Sequence, residues 1–312
     1  MRKLAIIIGM FAGTLLTAAS GFGQGDNQGQ GQAVVTVLPA HDGEVPANLS
    51  QQDLNVKING KEATIKNWIP FRGPNDKLEL VVMIDGSARS SLGTQLSEIA
   101  QFVNTLPPTA KVAIAYMQNG AAAMTGPLTT DHAQALKGLH LPGGAAGSNA
   151  SPYFCLSDLA HRWPSNDRGA RREVVMITDG VDEYNRRYDP EDPYVQAAVT
   201  DSVRAGIVVY SIYWHNRGGR DATMGATDTG QNLLLIVTQA TGGNSYWEGY
   251  GEPVSFQPYL RDLDRRLQNQ YELSFTAPLK GKPETASMKL KVSGIAGKVD
   301  APQQVFVNRG EM

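Results

Sequence analysis

The sequence predicts an α/β fold: a doubly wound, mostly parallel sheet with helices on both faces, plus a small flanking β module from both termini. Two observations predict it. From Leu78 to about Asn269, apolar runs of strand length alternate with segments whose apolar residues recur at helical spacing. On either side of that region, short β-type runs broken by turn residues take over.

Taken in order, residues 1–23 read as a secretory signal peptide. Arg2 and Lys3 precede the apolar stretch Leu4 to Leu16, and the small residues Ala18, Ala19, Ser20, Gly21 and Gly23 follow. The apolar run is shorter than the roughly 20 residues a spanning helix needs. This predicts export, with no stable membrane insertion after cleavage. Residues 24–32, "QGDNQGQGQ", are of low complexity and predict a disordered leader.

Residues 33–75 form an N-terminal β segment. Within it "LNVKINGKEATI" alternates apolar and polar residues around Asn59-Gly60, a strong hairpin signal. Residues 76–270 carry the α/β pattern. Its strands are "LELVVMID", "AKVAIAYM", "REVVMITDG", "IVVYSIYW" and "NSYWEG", with "AAAMTGPLT" as a short antiparallel strand. Its helices are "SLGTQLSEIAQFVNTL", "SPYFCLSDLAHRW", "DPYVQAAVTDSVRAG", "NLLLIVTQATGG" and "SFQPYLRDLDRRLQNQ". Trp214 to Gln231 reads as a long polar, glycine-rich loop. Residues 271–312 return to β texture and are expected to pair with the N-terminal segment, since neither piece is stable alone.

Composition narrows the function. The 312 residues are 41% hydrophobic and 19% charged with a net charge of −2, and no basic stripe marks a nucleic-acid binder. Cys155 is the sole cysteine, so no intrachain disulfide forms, and its apolar neighbours make it a core thiol. The five histidines are scattered, and no nucleophile elbow, phosphate loop or zinc-type cysteine pair is present. The chain carries no visible catalytic apparatus.

In an open parallel sheet, ligands bind at the carboxyl ends of the strands. Asp85 ends one predicted strand and Asp179 another, each before a glycine, and Ser87 and Ser90 follow the first. Carboxylates with hydroxyls and water suit a hard cation such as Mg2+.

In their order, "VVMIDGSARS", "VVMITDGVDE" and "TQATGGNSYW" resemble a von Willebrand factor type A domain, from Leu78 to about Asn269. The flanking β segments and "QYELSF" resemble its bacterial secreted subgroup. The resemblance implies a metal-ion-dependent adhesion site, taking Mg2+ (or Mn2+ or Ca2+), in a secreted or periplasmic envelope protein. Asp85 and Ser87 match the first two ligands of its Asp-x-Ser-x-Ser motif, and Asp179 the later aspartate. In place of the family's threonine stands "PGGAAGSNASPYF", where Ser151 or Ser148 would serve.

The fifth motif position is Arg89, a permanent cation. It either turns outward while Ser90 or a water takes its place, or pairs with Asp85 or Asp179 and replaces the metal, or marks a loop without ligand function. Asp182, Glu183, Asp189, Glu191 and Asp192 crowd the next loop with Arg186 and Arg187, a self-neutralised stretch bordering the crevice. The metal set is therefore Asp85, Ser87, Ser90, Ser151 and Asp179, and the ligand-contact set Arg89, Ser148, Asp182 and Glu183. The expected function is non-catalytic binding of a protein ligand. The alternatives are a structural envelope protein with a vestigial metal site, or a hydrolase using Asp85 and Asp179.

Overall fold

The computed structural model describes residues 28–41, 49–145, 147–215, 224–279, 281–294 and 297–309. The expected signal, residues 24–27 of the expected leader and residues 216–223 of the polar loop lie outside the described residues. In chain order the first strands are β1 (Gln28–Pro39), β2 (Leu54–Ile58), β3 (Lys61–Glu62), β4 (Thr64–Pro70) and β5 (Leu78–Asp85). Helix α1 (Leu96–Thr105), β6 (Lys111–Gln118), β7 (Ala121–Met124), α2 (His132–Leu136) and α3 (Pro152–His161) follow. Then come β8 (Arg171–Thr178), α4 (Pro193–Ala205), β9 (Ile207–Tyr213), α5 (Met224–Thr241), β10 (Ser245–Tyr246) and α6 (Gln257–Leu267). The chain closes with β11 (Gln270–Pro278), β12 (Glu284–Val292), β13 (Gly297–Asp300) and β14 (Gln304–Arg309).

β5 is buried along its whole length, which is why its sequence is an unbroken apolar run. Leu78, Leu80, Val82 and Ile84 pack on one side with Ile99, Phe102 and Val103 of α1 and Leu260, Leu263 and Leu267 of α6. Val81 and Met83 pack on the other with α3, α4 and α5 through Leu156, Val199 and Val237. Each fully buried aliphatic side chain here contributes about 1.5–3 kcal/mol. The sheet runs β10-β9-β8-β5-β6-β7, with every pairing parallel except β6 with β7. From β5 the chain moves first to β6 on one side and later to β8 and β9 on the other. The carboxyl end of β5 is therefore the switch point.

The second sheet corrects the expected small module. It has eight antiparallel strands in the order β3-β2-β12-β14-β1-β11-β4, with β13 also on β1. Strands from both chain ends interleave in it, and Val35, Val37, Leu273, Phe275 and Val307 fill a core of its own. The expected hairpin is present: Asn59 and Gly60, with φ of 48° and 77°, turn β2 into β3.

Residues 28–32, expected to be disordered, are strand, paired with β11 on one side and β14 on the other. Gly29 and Gly31 are packing residues here. A Cβ on Gly31 would lie 2.5 Å from the Phe275 ring, and one on Gly29 2.5 Å from Val307 Cγ1. The polar loop is also shorter than expected, because Met224 to Gln231 form the first turns of α5. The two sheets are joined by Arg266 Nη1 donating to Asp300 Oδ2 at 2.6 Å and Gln270 Nε2 to the Tyr210 hydroxyl at 3.1 Å. No helix among the described residues is long and apolar enough to cross a membrane.

Candidate functional site

Asp85 stands at the switch point with no exposed surface. Its Oδ1 accepts from the Ser87 backbone N–H at 2.9 Å and the Ser87 hydroxyl at 2.5 Å. Its Oδ2 accepts from the Thr178 hydroxyl at 2.6 Å and Asn149 Nδ2 at 2.9 Å. Four protein donors thus meet one carboxylate, two from its own turn, one from β8 and one from the loop before α3. Bonds of this charge-assisted kind contribute about 1.5–3 kcal/mol each.

Parallel register explains Thr178: it lies one step beyond the Ile84–Ile177 pair on the neighbouring strand. Asn149 is placed by backbone. The β6–β7 turn donates from Asn119 N to Ser148 O at 2.8 Å and from Gly120 N to Asn149 O at 2.9 Å. Ala150 then takes a left-handed φ of 63°, which costs a non-glycine residue about 1–2 kcal/mol. Such local strain, held by surrounding contacts, is typical of functional loops.

Two buried oxygens of this loop have no hydrogen-bond partner: Ser148 Oγ and Asn149 Oδ1. Ser148 Oγ and Gly86 O each lie 2.4 Å from where a Cβ on Gly144 would sit, so the glycine leaves that space open. Buried oxygens without partners mark a place for a water or an ion. The donors are hydroxyl, amide and carboxylate oxygens, the set a hard cation takes. No cluster of three or more His, Cys, Asp or Glu suited to a metal occurs among the described residues. A cation here would therefore rest largely on neutral oxygens.

The other expected residues fall as follows. Asp179 is buried and accepts from the Val181 N–H at 3.0 Å through Oδ1. Arg89 turns outward, about half-exposed, with Nη1 3.6 Å from Glu252 Oε1. The crevice is thus free of its charge. Ser90 does not join the site: it is exposed at the start of a 3-10 turn, Ser90–Gln95. Ser151 is engaged elsewhere, as the cap of α3. Its hydroxyl accepts from the Phe154 N–H at 3.4 Å and donates to Asp182 Oδ2 at 3.1 Å.

Asp182 is buried too and also accepts from the Tyr184 N–H at 2.8 Å. Burial raises its pKa above the ordinary carboxylate value, with the Tyr184 and Ser151 bonds acting against the shift. Glu183 pairs with Arg186, and its N–H donates to Ala150 O at 3.1 Å, tying this loop to that of Asn149. Asp192 caps α4 by accepting from the Tyr194 and Val195 N–H groups. Burial pushes the Cys155 thiol far up, as expected of a core cysteine. Thr178 and Asn149 were not expected. The register of two Asp-ending strands points to the first; nothing local points to the second.

Beside the crevice Phe154 packs edge-on to Tyr194 at 4.5 Å and to Tyr184 at 5.4 Å. Tyr184 is 65% exposed, and Tyr188 of the same loop is 51% exposed.

Strand order, the switch point at Asp85 and Asp179 just past the end of β8 place the sequence resemblance in three dimensions. The six-stranded sheet has the open, mostly parallel topology that the von Willebrand A resemblance implies. No protein-family model matches the chain, and no curated protein matches it. Solved structures similar to it include an aerotolerance-related membrane protein from Bacteroides fragilis, at 16% identity and TM-score 0.43, covering 61% of this chain and 98% of that one. The manganese-loaded TRAP protein of Plasmodium vivax is 12% identical at TM-score 0.45, covering 77% and 98%. The open pilus adhesin SpaC of Lactobacillus rhamnosus GG is 10% identical at TM-score 0.45, covering 88% of this chain and 49% of that one. Likeness at this level assigns neither ligand nor chemistry to the six-stranded domain.

Proposed function

We propose that the chain is an exported, non-catalytic binding protein that holds a protein ligand at the crevice around Asp85. The observation that carries this reading is the pair of partnerless buried oxygens, Ser148 Oγ and Asn149 Oδ1, beside a fixed carboxylate. Ser87, Ser148 and Asn149 would hold a divalent cation such as Mg2+ or Mn2+, with Asp85 and Asp179 supplying negative charge nearby. When bound, the cation would offer an open position to a carboxylate of the ligand. The exposed Tyr184 and Tyr194 give the rim the aromatic character common at protein interfaces.

A general acid or base must exchange its proton, and both oxygens of Asp85 are already committed to donors. That supports binding over hydrolysis. The test is capture from envelope extract on the immobilised protein. A partner released by EDTA and lost with Asp85→Asn supports the reading. Capture indifferent to both moves the ligand away from the crevice, and no capture favours a structural role.

A further inference from the structure

At the opposite, amino-terminal end of the six-stranded sheet, the two sheets line a half-open cavity of about 930 Å3. One wall is the polar face of the antiparallel sheet, and the other is the start of β8 and β9 with the end of α4. Its charge is one-sided. Lys66, Arg168, Arg171, Arg172 and Arg204 line it against a single carboxylate, Glu272.

Arg171 is paired with Asp76 at 2.7 Å. Among the described residues the other four form no ion pair. Arg172 donates to the carbonyls of Ala205 and Ser165 at 3.3 and 3.1 Å and lies 5.6 Å over the Trp163 ring. Burial is the largest influence on its guanidinium and lowers its pKa. Arg204 lies 5.9 Å over the Phe306 ring. Across the cavity the Ser274 hydroxyl is buried with no hydrogen-bond partner. Lys66, Arg168 and Arg204 are exposed, and Arg172 is partly buried with Glu79 and Asp167 acting on its charge, so the lining keeps a positive excess open to an anionic ligand. The volume suits an organic ligand of ordinary size, in a range of roughly 300–1,000 Å3, and exceeds what one inorganic anion fills. Guanidinium groups match phosphate oxygens in a bidentate geometry.

We propose that this cavity binds a soluble molecule with clustered phosphate groups, held between Arg168, Arg172 and Arg204 on one wall and Lys66 and Ser274 on the other. The site is separate from the Asp85 crevice, and neither reading depends on the other.

Calorimetric titration of the full chain with tripolyphosphate tests it, with inorganic sulfate as a second probe. We expect saturable one-to-one binding of tripolyphosphate, weakened by added salt, and little binding of sulfate. Replacing the exposed pair, Arg168→Ala with Arg204→Ala, should weaken it by about tenfold or more. Arg168→Lys with Arg204→Lys should weaken it less than the alanine pair, since the charge stays and only the bidentate fork is lost. Lys66→Glu alone should weaken it too, which covers the case of an arginine variant that does not fold. Lys61→Ala with Lys289→Ala, remote exposed cations, should change nothing. Absence of saturation, sulfate binding as tight as tripolyphosphate, or equal losses in the remote-lysine control would overturn the proposal.

Discussion

Two buried carboxylates sit on adjacent strands of the same sheet and behave in opposite ways. Asp85, at the carboxyl end of β5, accepts four hydrogen bonds. Glu173, near the amino end of β8, is equally buried, yet neither of its oxygens has a hydrogen bond of normal geometry. Burial raises its pKa to about 7, and the nearby Arg171 and Gln270 offset only part of that. Burial alone therefore does not make a charged site. At the crevice the fold supplies donors from three separate segments, whereas at Glu173 it supplies almost none.

The largest effect that would sharpen this contrast is Asp85→Ala. It leaves the Thr178 hydroxyl, the Asn149 amide and the Ser87 donors without their acceptor, and should cost about 3–5 kcal/mol of stability. Chemical denaturation of the purified variant measures it. A loss below about 1 kcal/mol would mean that the four bonds are not a cooperative unit.

Glu173→Gln should act in the other direction. In the folded chain Glu173 keeps its proton up to a pKa of about 7, against 4.5 as the ordinary value. Its contribution to stability is fully present below the unfolded value and is lost as pH rises through the folded one. The wild type should therefore weaken between those limits by about 3 kcal/mol, taking 1.36 kcal/mol per pKa unit. The glutamine variant should lose that slope and be the more stable protein at pH 8. Melting curves across pH read this directly; parallel wild-type and variant profiles would contradict it.

Smaller effects bear on the second sheet and on the rim. Gly31→Ala drives a methyl into the Phe275 ring and should cost about 1–3 kcal/mol by overpacking. A neutral outcome in denaturant melts would return residues 28–32 to the role of a leader. Arg89→Ser removes a half-exposed contact with Glu252, worth no more than about 1 kcal/mol. Its melting temperature should barely change.

How far the sequence was legible follows from burial geometry. β5 and β8 are covered on both faces, so their chemistry is a continuous apolar run with a visible end, and Asp85 and Asp179 mark those ends. Gln28 to Gln32 hide their strand because backbone pairing asks nothing of the side chains there, and the glycines serve Phe275 and Val307. The start of α5 is hidden for a similar reason: its Gly, Thr and Asp residues read as loop while packing decides for helix. In the site, Thr178 follows from strand register. Asn149 reaches Asp85 across 64 residues of chain through backbone bonds to the β6–β7 turn, which no local pattern reports. Arg89 turns towards Glu252, which is still more remote in sequence.

On the proposed reading, Ser148 Oγ and Asn149 Oδ1 would hold a cation beside Asp85. Calorimetric titration with Mn2+, run on the wild type and on Ser148→Ala, tests it most directly. Ser148 Oγ has no partner to lose, so the variant should melt at or above the wild-type temperature without metal. It should nevertheless bind Mn2+ about tenfold or more weakly, for want of one oxygen ligand. Equal Mn2+ affinity in the two proteins, or no binding by the wild type, would contradict the account.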